Sequence, residues 1–282
     1  MTQLFVKQLT VLDFSYLDYQ RGLVGESWIV DVFLKGDLDK EGMIQDFSLV
    51  KRNLKACLED VMDHKLVVPV HASKVKFNAD YTEVIFYDQQ DDQYHQKCPA
   101  QALCLFDDST INMAAATVAL KKAARQAVPD NVEEIEIQLR TEPIAGAYYH
   151  YSHGLKKHKG NCQRIAHGHR SKIEIFTNNQ ARPDLETDWA KQWADIYLGT
   201  RENKVHSPII DGKKYYQFAY QAPQGYYELT LPQSRTYLMD VETTVEKISA
   251  HIAERLSKDH KNIKVWAYEG LDKGAISTHT GQ

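Results

Sequence analysis

The sequence predicts an α+β protein made of two copies of one unit, each reading strand, strand, helix, insert, helix, strand. Hydrophobic periodicity runs through that order once before about residue 144 and once after it. Landmarks also recur at matched spacing: Gly25 to Asp46 is 21 residues and Gly168 to Asp188 is 20. Asp46-Phe47 and Asp188-Trp189 each open the first helix of a half, and Thr110 and Thr244 the second. Thr141-Glu142 and Tyr268-Glu269 each close the strand that follows. No stretch has the composition of a linker, so the expected domains, 1–144 and 145–282, abut.

Residues 4–12 and 28–34 (WIVDVFL) have strand patterning, and 37–42 is a turn. Between 43 and 62, apolar residues at Ile44, Phe47, Val50, Leu54, Leu58 and Val61 form a helical stripe that starts beside Asp46. Residues 65–87 are β-branched and aromatic, as in a hairpin, and 89–97 reads as a polar loop. The alanine-rich stretch 109–127 suits a helix capped by Asp108 or Ser109, and 132–139 (VEEIEIQL) alternates as a strand does. In the second half the strands are 147–155, 173–176 and 263–268, with a tyrosine-rich β insert at 215–231. The helices are 184–198, with Trp189 and Trp193 on one face, and 241–256.

Composition narrows the function classes. A net charge of −4 over 282 residues argues against a general nucleic-acid binder, which needs a basic surface. With 43% hydrophobic and 26% charged residues the chain is expected to fold rather than stay disordered. The apolar stretch 113–120 is far shorter than the ~20 residues of a membrane span. Residues 1–12 contain Lys7 and polar groups where a signal peptide needs an apolar core. Four cysteines without a CxxC pair complete an expectation of a reducing cytoplasm. No phosphate loop, dinucleotide fingerprint, GxSxG elbow or HExxH is present.

The chemically unusual patch lies in the second half. His167 and His169 flank Gly168 at the start of a strand, so both imidazoles share a face. His153 lies on the preceding strand, and a short hairpin brings it beside them. Three convergent imidazoles suit Zn²⁺ with one open coordination position, although hydrogen-bonded histidines would carry the same spacing. Cys162 sits five residues before His167 in the basic loop KKHKGNCQR, where a thiol beside a cation serves as a base or nucleophile. Lys156, Lys157, Lys159 and Arg164 make that loop either a solvated tip or a seat for a multiply charged anion. Asp63-His64 ends the first helix, either as a helix-terminal pair or as a carboxylate-oriented proton relay.

Taken together, these residues resemble the 6-pyruvoyl-tetrahydropterin synthase / 6-carboxy-tetrahydropterin synthase family. The second half matches at His153-Gly154-Leu155, Cys162, His167-Gly168-His169, Thr244-Val245-Glu246 and Glu269. The first half matches at Gly42 through Phe47 with Lys51, at Asp63-His64-Lys65-Leu66 and at Glu142. Where the metal motif would fall, the first half has Val24-Gly25-Glu26-Ser27-Trp28 instead, and nothing after Trp189 matches the Asp-His pair. Gly270 follows Glu269 where threonine is usual, and Glu142 is a competing pterin anchor.

The resemblance implies the tunnelling fold, a ββααββ unit whose antiparallel sheets join into a barrel between subunits. It implies a lyase acting on 7,8-dihydroneopterin triphosphate, with zinc held by His153, His167 and His169. Cys162 and the Asp63-His64 pair would move protons, Glu269 and Thr244 would hold the pterin, and the 156–159 loop would help triphosphate leave. Because the halves are complementary, one composite site is expected, formed by the zinc-bearing half against a first half of the same or another chain. A cytoplasmic chain of bacterial character favours the 6-carboxy product of queuosine (deazapurine) biosynthesis, with acetaldehyde and triphosphate leaving. The alternatives are the 6-pyruvoyl product and a pterin-binding tandem homologue without catalysis. Open sheet edges call for a homo-oligomer, a trimer or a larger ring.

Overall fold

The computed structural model describes residues 2–280. Each half is centred on a long antiparallel hairpin: Thr2–Asp18 with Gly22–Gly36 in the first, Tyr148–His153 with His167–Thr177 in the second. The strand Gly22–Gly36 is buried almost throughout rather than at alternate positions. Its two faces are both covered, one by helices and one by the second half's hairpin.

The first sheet runs Leu103–Phe106, Leu66–Pro69, Thr2–Asp18, Gly22–Gly36, Val132–Arg140. The second runs Thr236–Met239, Ile196–Thr200, Tyr148–His153, His167–Thr177, Ile263–Tyr268, Gly274–His279. Both sheets are mixed rather than purely antiparallel, since two short strands in each lie parallel to their neighbours. The second half has two strands after its last helix. The first has one, Val132–Arg140, before the chain enters the second hairpin, so it falls one strand short of ββααββ.

A helix pair covers each sheet. The first comprises Phe47–Leu49, a π turn at Val50–Leu54 and Lys55–Met62, packed with Met113–Arg125. Asp46 caps its start by accepting from the Ser48 N–H at 2.7 Å. In Met113–Arg125 the buried residues Ala116, Leu120 and Ala124 recur every four positions, which turns one stripe to the core. Asn112 caps this helix by accepting from the Ala115 N–H, not Asp108 or Ser109, whose carboxylate and hydroxyl fold the preceding turn. In the second half Pro183 opens Pro183–Gln192, and Trp189 and Trp193 pack under it beside Val245–Leu256. That first helix stops at Gln192 rather than continuing to 198, because Ile196–Thr200 joins the sheet.

Three expectations change in the inserts and at the end of the chain. Leu66–Pro69 joins the first sheet rather than pairing with the strand near 85. Gln93–Lys97, expected as a loop, is a strand between Glu83–Tyr87 and Gly225–Pro232, with Tyr94 and Gln96 turned inward. Its polar composition hid a strand whose partners supply the apolar surface. Gly274–His279 forms a last strand not expected from its sequence. The inserts of the two halves thus merge into one third sheet with its own core around Phe86, Tyr220 and Tyr227.

Pairing register sets which residues of the two halves correspond. Ser15 faces Gly25 across the first hairpin, as Ser152 faces Gly168 across the second. One position on, Tyr16 and Val24 correspond to His153 and His167, and Glu26 to His169. The parallel pairs Ser15–Leu66 and Ser152–Tyr197 place His64 opposite Asp195 in the same scheme. Both of these residues lie in the left-handed region, at φ 53° and 54°.

Candidate active site

His153, His167 and His169 are buried, with His153 directly opposite His167 in the hairpin. Two of their outward nitrogens make hydrogen bonds and the third faces a carboxylate. His153 Nδ1 donates to the Thr243 carbonyl at 2.9 Å, His167 Nδ1 donates to the Arg164 carbonyl at 2.9 Å, and Asp13 Oδ1 lies 3.3 Å from His169 Nδ1. The inward nitrogens converge. His153 Nε2 and His169 Nε2 are 3.3 Å apart, and one ring nitrogen of each of the three lies within 4.8 Å of the others. Burial, and then the charge of neighbouring imidazoles, hold His153 and His167 well below the ordinary imidazole value, so both rings are neutral. Buried His167 Nε2 has no hydrogen-bond partner. Three rings whose inward nitrogens converge on one point, with an unpartnered His167 Nε2 among them, fit a metal ion and could hold one.

The first half delivers Asp63 and His64 to this cluster. His64 Nδ1 is 2.7 Å from Asp63 Oδ2, and the ring stacks on His167 with centroids 4.9 Å apart. Its N–H donates to the Asp13 carbonyl at 2.7 Å, which holds the left-handed turn that aims the ring. One His64 nitrogen, Cys162 Sγ and a His167 nitrogen lie within 4.8 Å of one another. Burial opposes a charge on His64, but hydrogen bonds to Asp63 and Cys162 outweigh it and push the imidazole up to about 10. A protonated ring therefore lies between a carboxylate and a thiol that belong to different halves.

Cys162 sits in the turn Asn161–Gln163, and its carbonyl accepts from the Leu155 N–H. The tyrosine-rich hairpin braces that turn. Tyr220 OH donates to the Gln163 carbonyl at 2.9 Å, and the Gln224 N–H donates to Gln163 Oε1 at 2.7 Å. Arg164 points inward, within 3.4 and 3.5 Å of the Asp63 and His64 carbonyls. Lys157 is committed to Glu202 and Glu242, each at 3.4 Å, and so is not a free seat for an anion.

Glu269 lies at the rim, a quarter exposed, with Oε1 3.9 Å from His169 Nε2. Glu142 is elsewhere: its carbonyl accepts from Arg170, and its carboxyl, raised by burial and by Asp272, has no contact with the histidines among the described residues. Thr244 begins Val245–Leu256, while Thr243, one residue earlier, makes the contact to His153. Beside His64 a cleft of about 330 Å³ opens between the halves, and its charged lining is Asp13, Lys55, Glu59, Asp63 and Lys273.

The family model described as 6-pyruvoyl tetrahydropterin synthase matches the chain twice, over residues 16–143 and 144–277. The chain belongs to the 6-pyruvoyl tetrahydropterin synthase family. It carries the family's unit in tandem. Among solved structures, the 6-pyruvoyl tetrahydropterin synthase of Plasmodium vivax is 14% identical, covers 51% of this chain and 93% of its own, and superposes with a TM-score of 0.42. The Plasmodium falciparum 6-pyruvoyl tetrahydropterin synthase is 15% identical over 50% of this chain and 92% of its own, with a TM-score of 0.41. No curated protein matches the chain.

In this chain a second set of inter-half positions is related to the first by the register of the hairpins. There Tyr16, Val24 and Glu26 stand at the histidine positions and Asp195 at that of His64. Arg21 bridges them: Nε and Nη2 donate to Asp195 at 3.0 and 2.5 Å, and Nη1 donates to Tyr16 OH at 3.1 Å. A guanidinium thus joins the counterparts of His153 and His64. Asp13, Thr243, Ser27 and Lys273 at the first set escaped sequence reading. Only Asp13 left a signal, as a carboxylate set into the apolar strand VLDFSY.

Proposed function

We propose that the chain is a zinc-dependent lyase converting 7,8-dihydroneopterin triphosphate to 6-carboxy-5,6,7,8-tetrahydropterin, with one composite site per chain built from the domains 1–144 and 145–282. The observation that carries the reading is the juxtaposition of Cys162 with His64 beside the three histidines, across the two halves. A metal-binding group alone would need no such pair, since a thiol next to a carboxylate-oriented imidazole is equipment for proton transfer.

Glu269 accepts hydrogen bonds from the pterin's ring N–H and amino groups and fixes its side chain over the histidines, with Thr244 at the same end. His153, His167 and His169 would hold the zinc ion, which when bound would supply Lewis acidity toward the substrate's side-chain oxygens. Cys162, as its thiolate, takes a proton from the substrate side chain and becomes the thiol, and the imidazolium of His64, held by Asp63, returns one. Water is consumed as acetaldehyde and triphosphate leave.

The outer edges at Val132–Arg140 and Gly274–His279 have no further strand beside them among the described residues. Pairing them between copies closes the sheets into the family's barrel, as a trimer or larger ring. Free cysteines fit a reducing cytoplasm, and no helix among the described residues is long and apolar enough to cross a membrane.

The test is to purify the protein, measure bound zinc, incubate it with dihydroneopterin triphosphate and identify products by mass. Release of acetaldehyde with the 6-carboxy product is expected. A 6-pyruvoyl product would overturn the assigned reaction, and binding without turnover would overturn catalysis.

A further inference from the structure

Of the three outward-facing imidazole nitrogens, two meet backbone carbonyls and the third, on His169, faces the carboxylate of Asp13. Asp13 comes from the other half and is 2% exposed. Its side chain accepts from Ser27 Oγ at 2.5 Å and from Lys273 Nζ at 3.0 Å. Its main chain holds the proton-transfer pair: the N–H donates to Asp63 Oδ1 at 2.9 Å, and the carbonyl accepts from the His64 N–H at 2.7 Å. Gly270, at φ +68°, closes over it, and a Cβ there would come 2.6 Å from Asp13 Oδ1.

We propose that Asp13 is a positioning residue that couples the two halves of the site, its carboxylate orienting His169 as a metal ligand while its main chain sets Asp63 and His64. The inference rests on reading the three histidines as a metal centre. A carboxylate on the far nitrogen of a ligating imidazole fixes its tautomer and tilt and makes it a stronger donor, and this is the one anionic partner among the three. Because Asp13 belongs to the first half, metal affinity in the second half depends on the halves being docked. Ser27 and Lys273 hold the carboxylate against rotation, so it serves His169 rather than solvent.

The experiment compares wild type with Asp13→Asn, which keeps the main-chain bonds to Asp63 and His64 and changes the side chain alone. Zinc affinity is read by competition with a chromophoric chelator, and ligand geometry by the visible spectrum of the Co²⁺-loaded protein. Asp13→Asn should bind zinc roughly 10–100-fold more weakly and shift the Co²⁺ bands. Equal affinity with an unchanged spectrum would overturn the role of Asp13. A wild type that takes up no metal would instead overturn the metal centre. Lys273→Met loosens the same carboxylate from the opposite side and should weaken zinc in the same direction, so the proposal stays open to refutation even where Asp13→Asn does not fold.

Discussion

Gly25 and Gly168, corresponding residues of the two halves, meet where the hairpins cross: a Cβ added to Gly168 would come 2.6 Å from Gly25 Cα. Beside them the corresponding serines, Ser15 and Ser152, share a buried hydroxyl hydrogen bond of 2.7 Å. Contact between like residues means that an internal two-fold relation passes between the hairpins. It generates two equivalent sets of inter-half positions from one interface, of which one carries imidazoles and the other is bridged by the Arg21 guanidinium.

That crossing leaves no room for a side chain. In Gly25→Ala the new methyl would lie 1.9 Å from the Tyr151 carbonyl oxygen, which is main chain and cannot swing aside. The hairpins must separate, at a cost of at least about 1–3 kcal/mol. Urea unfolding should show the loss, and zinc affinity should fall with it, since Asp13 and His64 move away from the histidines.

Cys162 and His64 act as a unit in the proposed reaction. Cys162→Ser and His64→Ala should each lower kcat by roughly 10²–10⁴-fold. The double variant should be no worse than the poorer single one, because either change alone already breaks the relay. Steady-state kinetics on the three proteins checks this. Multiplied losses would show that the two groups act at separate steps.

What was legible in the sequence followed local pattern. The HxH pair, its partner His153 across the hairpin and the helical stripes depend on spacing, and spacing survives folding. The complementarity of the halves was also legible, because each lacks what the other keeps. Asp13 and Thr243 were hidden, since their roles arise only when strands distant in sequence dock. Gln93–Lys97 was hidden because an internal strand of a merged sheet draws its apolar cover from elsewhere. The tyrosine-rich insert had no readable role until Tyr220 and Gln224 were seen bracing the turn that holds Cys162.

At the corresponding inter-half positions, Arg21 is expected to hold the halves together rather than to assist chemistry. Arg21→Met leaves Asp195, only 15% exposed, without its bidentate partner. The loss of stability should be about 1–3 kcal/mol. Zinc content should stay at one per chain and kcat at the wild-type value. Thermal melting with metal analysis tests this, and a second equivalent of zinc in wild type would show that these residues bind metal too.

Glu26, the counterpart of His169, should make stability depend on pH. Burial raises its carboxyl from 4.5 to about 7, a rise that the Ser27 N–H and Arg170 only partly offset. Below 4.5 the group is protonated in both folded and unfolded chains and has no effect. Between 4.5 and about 7 the unfolded chain releases the proton while the folded one keeps it, so stability is lost as pH rises through this window and stays lost above it. The full penalty is about 3 kcal/mol. Glu26→Gln never bears that charge, so its advantage over wild type should be absent below the window, grow across it and level off above. His150, 4.0 Å away and lowered to about 4 by burial and Arg21, gives wild type an opposite slope over part of the range. The difference between variant and wild type, measured by urea unfolding across the window, reports Glu26 together with its coupling to His150. A difference that does not change with pH would mean that Glu26 is ionised in the folded chain throughout.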